Sequence, residues 1–164
     1  MLKGFKRAPI ILFLFIAIAA LTHYSISLKA KEILQFDYSD DTVEYNAVRN
    51  ALKEELAWYT DAIDNQPPMA IARTDLNMDG KDEIIAILNE ETLFCDQDLK
   101  CPHYVFTYTR SGLIKIGEFK TVGLTIADSN TSGIRDIITY PFKNSQKGIV
   151  YYKWAGRSYQ AESK

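Results

Sequence analysis

Soft metal ligands and catalytic signatures are scarce in this sequence. Of its 164 residues only two are cysteine and two are histidine. Structural zinc takes four cysteine or histidine ligands. Cys95 and Cys101 would need two more, and His103 is the only histidine beyond the N-terminal stretch that holds His23. The two cysteines have five residues between them, which is not the C-x-x-C redox spacing. There is no G-x-S-x-G elbow, no phosphate-binding glycine loop and no H-E-x-x-H pair. A lone His103 has no nameable partner for general-base work. Carboxylate pairs for glycoside cleavage are defined by separation in space, but most acids here fall in loops or on one helix face. We expect no enzymatic activity. Clustered lysine and arginine, which phosphate binding demands, are also missing, so nucleic acid is not the expected partner.

Charge is unevenly placed. Residues 1–30 hold Lys3, Lys6, Arg7 and Lys29 and no acid, so four of the 19 bases sit there. The remainder keeps 15 bases against all 21 acids, a net charge of −6. The first thirty residues predict export. A basic start is followed by an unbroken apolar run over residues 10–21, the layout of a signal peptide. No charge occurs over residues 8–28, a length that also allows an uncleaved membrane anchor. No cysteine lies near the run, which excludes a lipoprotein anchor. Either alternative places the domain in the periplasm or outside the cell. In an oxidising compartment Cys95 and Cys101 are expected to pair, adding about 2 kcal/mol in the chain-entropy model.

Residues 31–164 predict a single domain. A helix is expected over residues 41–64, with Asp41 as its cap and Glu44 as the reciprocal partner of a capping box. Tyr45, Val48, Leu52, Leu56, Tyr59 and Ile63 recur at steps of three and four and form its apolar face. Pro67 and Pro68 stop it. Beyond them the pattern turns to strands. Residues 69–74 and 84–88 flank an acidic loop, and a polar excursion over residues 89–102 carries the cysteines. Residues 104–109 and 113–119 form a hairpin around Ser111-Gly112. The order then repeats over residues 122–161, so each unit, 69–120 and 122–161, predicts strand, acidic loop, strand, strand, glycine turn, strand. The fold class is α+β, mainly antiparallel β: one amphipathic N-terminal helix packed on two repeated four-stranded modules. Tyr104, Phe106, Tyr108, Tyr152 and Trp154 are expected in the core, and Tyr151 and Tyr159 on the surface.

The chemistry concentrates in the loop Asp75-Leu76-Asn77-Met78-Asp79-Gly80-Lys81-Asp82-Glu83. Oxygen-bearing side chains stand at positions one, three and five, a glycine at six and an acid at nine. Alternate residues of a tight loop can point inward together, and glycine allows the reversal that closes a cage for a hard cation. An EF-hand is excluded, because position twelve is Ala86 instead of a bidentate glutamate. Asp, Asn and Gly are also good turn formers, and the same pattern can cap a hairpin through Asx-turns with no metal. With a strand on each side, the loop resembles the calcium loops of FG-GAP and VCBS-type repeats, the integrin α-subunit type among them, and small exported bacterial proteins carrying one intact and one degenerate repeat. That resemblance implies one Ca²⁺ held by the side chains of Asp75, Asn77, Asp79 and Glu83 and by the Lys81 carbonyl. Shifted by 53 residues, the second loop offers Asp128, Asn130, Ser132 and Asp136 with the Ile134 carbonyl. It carries only two carboxylates, and Arg135 beside Asp136 could stand in for a metal. A second loop held by its own Asx and serine hydrogen bonds is expected. The functional expectation is a non-catalytic binding module that engages a protein of the bacterial envelope, with calcium in a structural role. The alternative is a periplasmic inhibitor or immunity-type protein that blocks a partner enzyme. Contact with a membrane is expected only through a retained N-terminal segment.

Overall fold

The computed structural model describes residues 32–63, 67–143 and 147–162. The expected export segment lies outside the described residues, as do Asp64 and the side chain of Ile63 at the end of the expected helix.

The helical stretch forms two short helices instead of one, α1 (Val43–Ala51) and α2 (Lys53–Ile63). Leu52 joins them at φ −101° and ψ 11°. Its amide still donates to the Val48 carbonyl and its own carbonyl accepts from the Leu56 amide, both at 2.9 Å, so these bonds carry across the junction. The N-cap is Thr42, not Asp41. Its hydroxyl accepts from the Tyr45 amide at 3.1 Å, which satisfies one of the donors a helix start leaves over. With the cap moved by one residue, Glu44 no longer stands where a capping box needs it, and it pairs with Arg73 instead. The apolar face is as expected: Tyr45, Val48, Leu52, Leu56 and Tyr59 are buried.

The rest of the described chain is two four-stranded antiparallel sheets in sequential order. Sheet one holds β1 (Met69–Thr74), β2 (Glu83–Leu88), β3 (Cys101–Thr109) and β4 (Gly112–Thr121). Sheet two holds β5 (Gly123–Thr131), β6 (Ile134–Tyr140), β7 (Val150–Trp154) and β8 (Tyr159–Ala161). Successive side chains of a strand point to opposite faces, and sheet one uses both faces. Ile84, Ala86, Leu88, Tyr104 and Phe106 meet the helices in one core. Ile85, Val105, Ile116 and Phe119 face the other way and pack with Leu124, Ile126 and Ile137 of sheet two. The layers are therefore helices, sheet one, sheet two. Gly117 of β4 sits where side chains crowd from both sheets: a methyl group there would meet Phe119 and Val105 of sheet one and Tyr159 of sheet two at 3.1–3.3 Å.

Two aromatic expectations fail. Tyr108, expected in the core, is half-exposed, because its position follows the last covered stretch of β3. Tyr159, expected on the surface, is 7 % exposed. It begins the short strand β8, lies edge-on to Trp154 and Phe119, and its hydroxyl donates to the Arg135 carbonyl at 2.7 Å.

The segment before the helices straps the sheets at one side. Asp37 and Ile71 exchange backbone bonds of 2.7 and 2.9 Å, and Glu32 bridges Ile126 on the edge strand of sheet two. The Glu32 carboxylate accepts from Thr74 of sheet one at 2.7 Å and pairs with Arg135 of sheet two. One side chain thus ties both sheets. Cys95 and Cys101 form the expected disulfide.

Candidate metal centre

Residues 75–82 connect β1 to β2 and take little from the strand ladder, so their amides turn to side chains. Asp75 accepts from the Asp79 amide at 3.1 Å and the Gly80 amide at 2.9 Å through its two oxygens. Asn77 Oδ1 accepts from the Asp79 amide at 2.9 Å, and Asp79 Oδ1 from the Lys81 amide at 2.8 Å. These are Asx-turns in series. Met78 and Gly80 take positive φ, 59° and 83°, to let the chain fold over the three side chains. Glycine suits the second of these because the left-handed region costs it nothing.

Leu76 does the opposite of its polar neighbours. It is fully buried in the core between the sheets. Its amide donates to Glu83 Oε2 at 2.9 Å, and its carbonyl accepts from the Arg135 amide of sheet two at 2.8 Å. The root of the loop is therefore also the joint between the sheets.

Glu83, the first residue of β2, is 4 % exposed and receives three donors. Besides the Leu76 amide these are Asn77 Nδ2 at 3.1 Å and the Thr107 hydroxyl at 3.0 Å, both to Oε1. Burial pushes its carboxyl above the usual glutamate range, against the opposing pull of the Leu76 and Thr107 bonds. Asn77 Nδ2 also reaches Asp79 Oδ2 at 3.3 Å, so an amide NH₂ stands between two carboxylates. Outside lies a groove of about 530 Å³, bordered by Asn77, Asp79, Glu83, Thr107, Tyr108 and Arg110 among others.

The donor chemistry fits a hard divalent cation. All the side-chain candidates offer oxygen, and a carboxylate has about four acceptor positions. Asp75 and Asp79 each have two taken, Glu83 three. The arrangement is looser than a finished cage. Among the described residues no three Asp, Glu, His or Cys side chains converge closely enough to hold an ion. Asp75 is turned onto backbone amides, while Asn77, Asp79 and Glu83 approach one another. The Lys81 amide is tied to Asp79, and Asp82 borders the groove. The sequence pattern gave no hint of Thr107 or Leu76. Antiparallel registry is what brings Thr107 near, since Ile84 pairs with Phe106 and the next residues on each strand follow.

The second loop is built differently. Pairing of β5 with β6 continues to Thr131 and Ile134, leaving only Ser132 and Gly133 in the turn, at φ 54° and 83°. Positive φ at both turn residues is the geometry that hairpins favour. The extra length is absorbed by a bulge between Ile126 and Asn130. Asp128 and Asn130 are exposed. Asp136 is buried and accepts from Ser129 at 2.7 Å and Thr131 at 2.8 Å. Asp128, Asn130, Ser132 and Asp136 are thus not brought together, and the serine bond comes from Ser129 instead of Ser132. Arg135 points to Glu32 and the Ala127 carbonyl, away from the role suggested beside Asp136.

No family model, curated protein or solved structure matches this chain. The likeness to FG-GAP-type loops therefore stands on residues 75–83 and their flanking strands.

Proposed function

We propose that this chain is an exported, non-catalytic binding module whose residues 75–83 hold one calcium ion in a structural role. The observation that carries the reading is the buried Glu83 carboxylate, set beside Asn77 and Asp79 at the point where the two sheets meet. A buried carboxylate resists ionisation unless a positive group compensates it. Among the described residues, the groups that donate to it are dipolar: an amide NH₂, a backbone amide and a hydroxyl. A divalent cation would supply full charge. Asp75, Asn77, Asp79 and Glu83 would be its side-chain ligands, with the Lys81 carbonyl as the backbone ligand.

The role follows from Leu76. Fixing the loop fixes Leu76 in the inter-sheet core and holds its carbonyl on Arg135. Calcium would then clamp one module to the other as well as closing a hairpin. The binding partner in this reading is a protein of the envelope.

Thermal unfolding in calcium and in chelator tests the proposal. Calcium should raise the melting temperature, and Asp79→Ala should abolish the difference while leaving a cooperative melt. Identical melting curves for the unaltered chain with and without chelator would remove calcium from the account.

A further inference from the structure

The groove beside the acidic loop has a lining that the calcium reading uses only in part. Thr107 borders it, with its hydroxyl on Glu83 at 3.0 Å. One wall is the loop itself, where Asx-turns hold Asp79 and tie the Lys81 amide to it, with Asp82 next in the chain. The other wall is the end of β3. There Thr109 pairs with Gly112, and its hydroxyl donates to the Gly112 carbonyl at 2.7 Å. That closes a two-residue turn and sets Arg110 at the rim. Both walls are thus held by bonds of their own, which limits the ordering that a ligand would have to impose. The volume of about 530 Å³ is that of a small-molecule site.

Two properties of this lining restrict its occupant. The first is charge. Three carboxylates, those of Asp79, Asp82 and Glu83, face two bases, Lys81 and Arg110. Among the described residues neither base belongs to an ion pair, although both share the groove with exposed acids. Both signs are therefore available side by side, and their sum is close to neutral. A nucleic-acid strand would meet more acid than base, the reverse of what phosphates need. A strongly basic segment would meet Lys81 and Arg110. A neutral polyhydroxyl ligand can use both signs at once, because each hydroxyl donates to a carboxylate and accepts from an ammonium or guanidinium. Hydrogen bonds to charged groups are the strong ones.

The second property is Tyr108, the one aromatic side chain on the lining, which is 53 % exposed. Its ring offers an apolar face with a polar tip, set among hydrogen-bonding groups. The ring of a sugar has the matching form, with C–H bonds on its faces and hydroxyls around its edge.

We propose that the groove between residues 77–83 and 107–110 binds a neutral oligosaccharide, with one sugar ring against Tyr108 and hydroxyls on Lys81, Asp82 and Arg110. The inference goes beyond the calcium reading and does not lean on it. Asp82, Tyr108, Arg110 and the Lys81 ammonium are not among the groups assigned to the ion, so an occupied loop leaves all four for the ligand.

The test screens the full chain, in calcium, against an array of immobilised oligosaccharides. The array carries neutral hexose and N-acetylhexosamine chains together with uronate and sulfated chains. Saturable binding to a neutral member is expected, and the same oligosaccharide free in solution is then titrated. Tyr108→Ala should weaken that affinity by about tenfold, the loss typical of an aromatic at the centre of a contact, whereas Tyr108→Phe should keep it. Asp82→Asn and Arg110→Gln should each weaken it by about tenfold, as for a hydrogen bond to a charged group. Melting temperatures verify that the variants fold, and if Tyr108→Ala lowers its own, the exposed Arg110→Gln carries the test. The response of the melt to calcium is read alongside. Its absence in the unaltered chain removes the ion, while the groove is judged on the array and the variants alone. Binding to no neutral member, binding confined to uronate or sulfated chains, or unchanged affinity in the folded variants overturns the proposal.

Discussion

Residues 75–83 and 128–136 share a spacing, a glycine at the same place with φ 83° in both, and strands on either side. They fold into different objects. The first is an eight-residue connection organised by Asx-turns, the second a two-residue hairpin turn with a bulge below it. The difference traces to three matched positions. Leu76 is matched by Ser129: the leucine is drawn into the inter-sheet core, whereas the serine stays outside and bonds Asp136. Asp79 is matched by Ser132, which has no carboxylate to collect the amide of a following residue. Lys81 is matched by Ile134, a β-branched residue that continues a strand. The lesson is that an apolar residue inside a polar loop, once drawn into a core, helps decide whether the loop stays open or zips into a ladder.

The comparison can be broken most forcefully at Leu76. Leu76→Ala should destabilise the fold by about 2–5 kcal/mol, as for other fully buried leucines, and Ser129→Ala by about 1 kcal/mol for one hydrogen bond. Equal losses in chemical denaturation would remove the special status of the first loop.

A smaller effect is expected from the loop carboxylates. Asp75→Ala leaves two backbone amides without their acceptor and should cost about 1–2 kcal/mol. Asp128→Ala, at an exposed position, should stay within about 0.5 kcal/mol. The same denaturation series reads both.

Titration sharpens the contrast further. Burial raises the Glu83 carboxyl, so the folded chain holds that proton more tightly than the unfolded chain. In chelator its stabilising contribution is fully present below the unfolded glutamate range and is lost as pH rises through the raised folded value. Glu83→Gln should flatten this part of the stability profile measured between pH 4 and 7. A profile that Glu83→Gln leaves unaltered would mean that the group is not held as described.

The smallest difference is expected at the glycines. Gly80→Ala and Gly133→Ala should each cost about 1–2 kcal/mol, because both sites require the same left-handed backbone and neither crowds a methyl group. A large gap between the two melting temperatures would show that the turns differ more than their backbones indicate.

Much of the architecture was legible because it depends on period and composition. Alternating residues marked the strands, the shift of 53 residues marked the two modules, and the stepped apolar face marked the helices. What escaped depends on contacts between distant segments. Nothing local distinguishes Thr42 from Asp41 as a cap, and Leu52, a good helix former, gives no sign that one helix ends there and another begins. Tyr159 sits in a three-residue strand too short to show alternation, and its burial follows from packing on Phe119 and Trp154. Glu32 lies just beyond the expected export segment, and its bonds to Thr74 and Arg135 span 42 and 103 residues. At the candidate site the spacing of the oxygen-bearing side chains could be read, but the neighbours that bury Glu83 could not. Thr107 enters through strand registry and Leu76 through the second sheet.

The central claim is that only one of the two matched loops is a cation site. Calorimetric titration with calcium tests it most directly, on the unaltered chain and on the Asp79→Ala and Asp128→Ala variants. The account predicts one site per chain, lost in Asp79→Ala and unchanged in Asp128→Ala. Two sites, no site, or a single site that Asp128→Ala removes would contradict it.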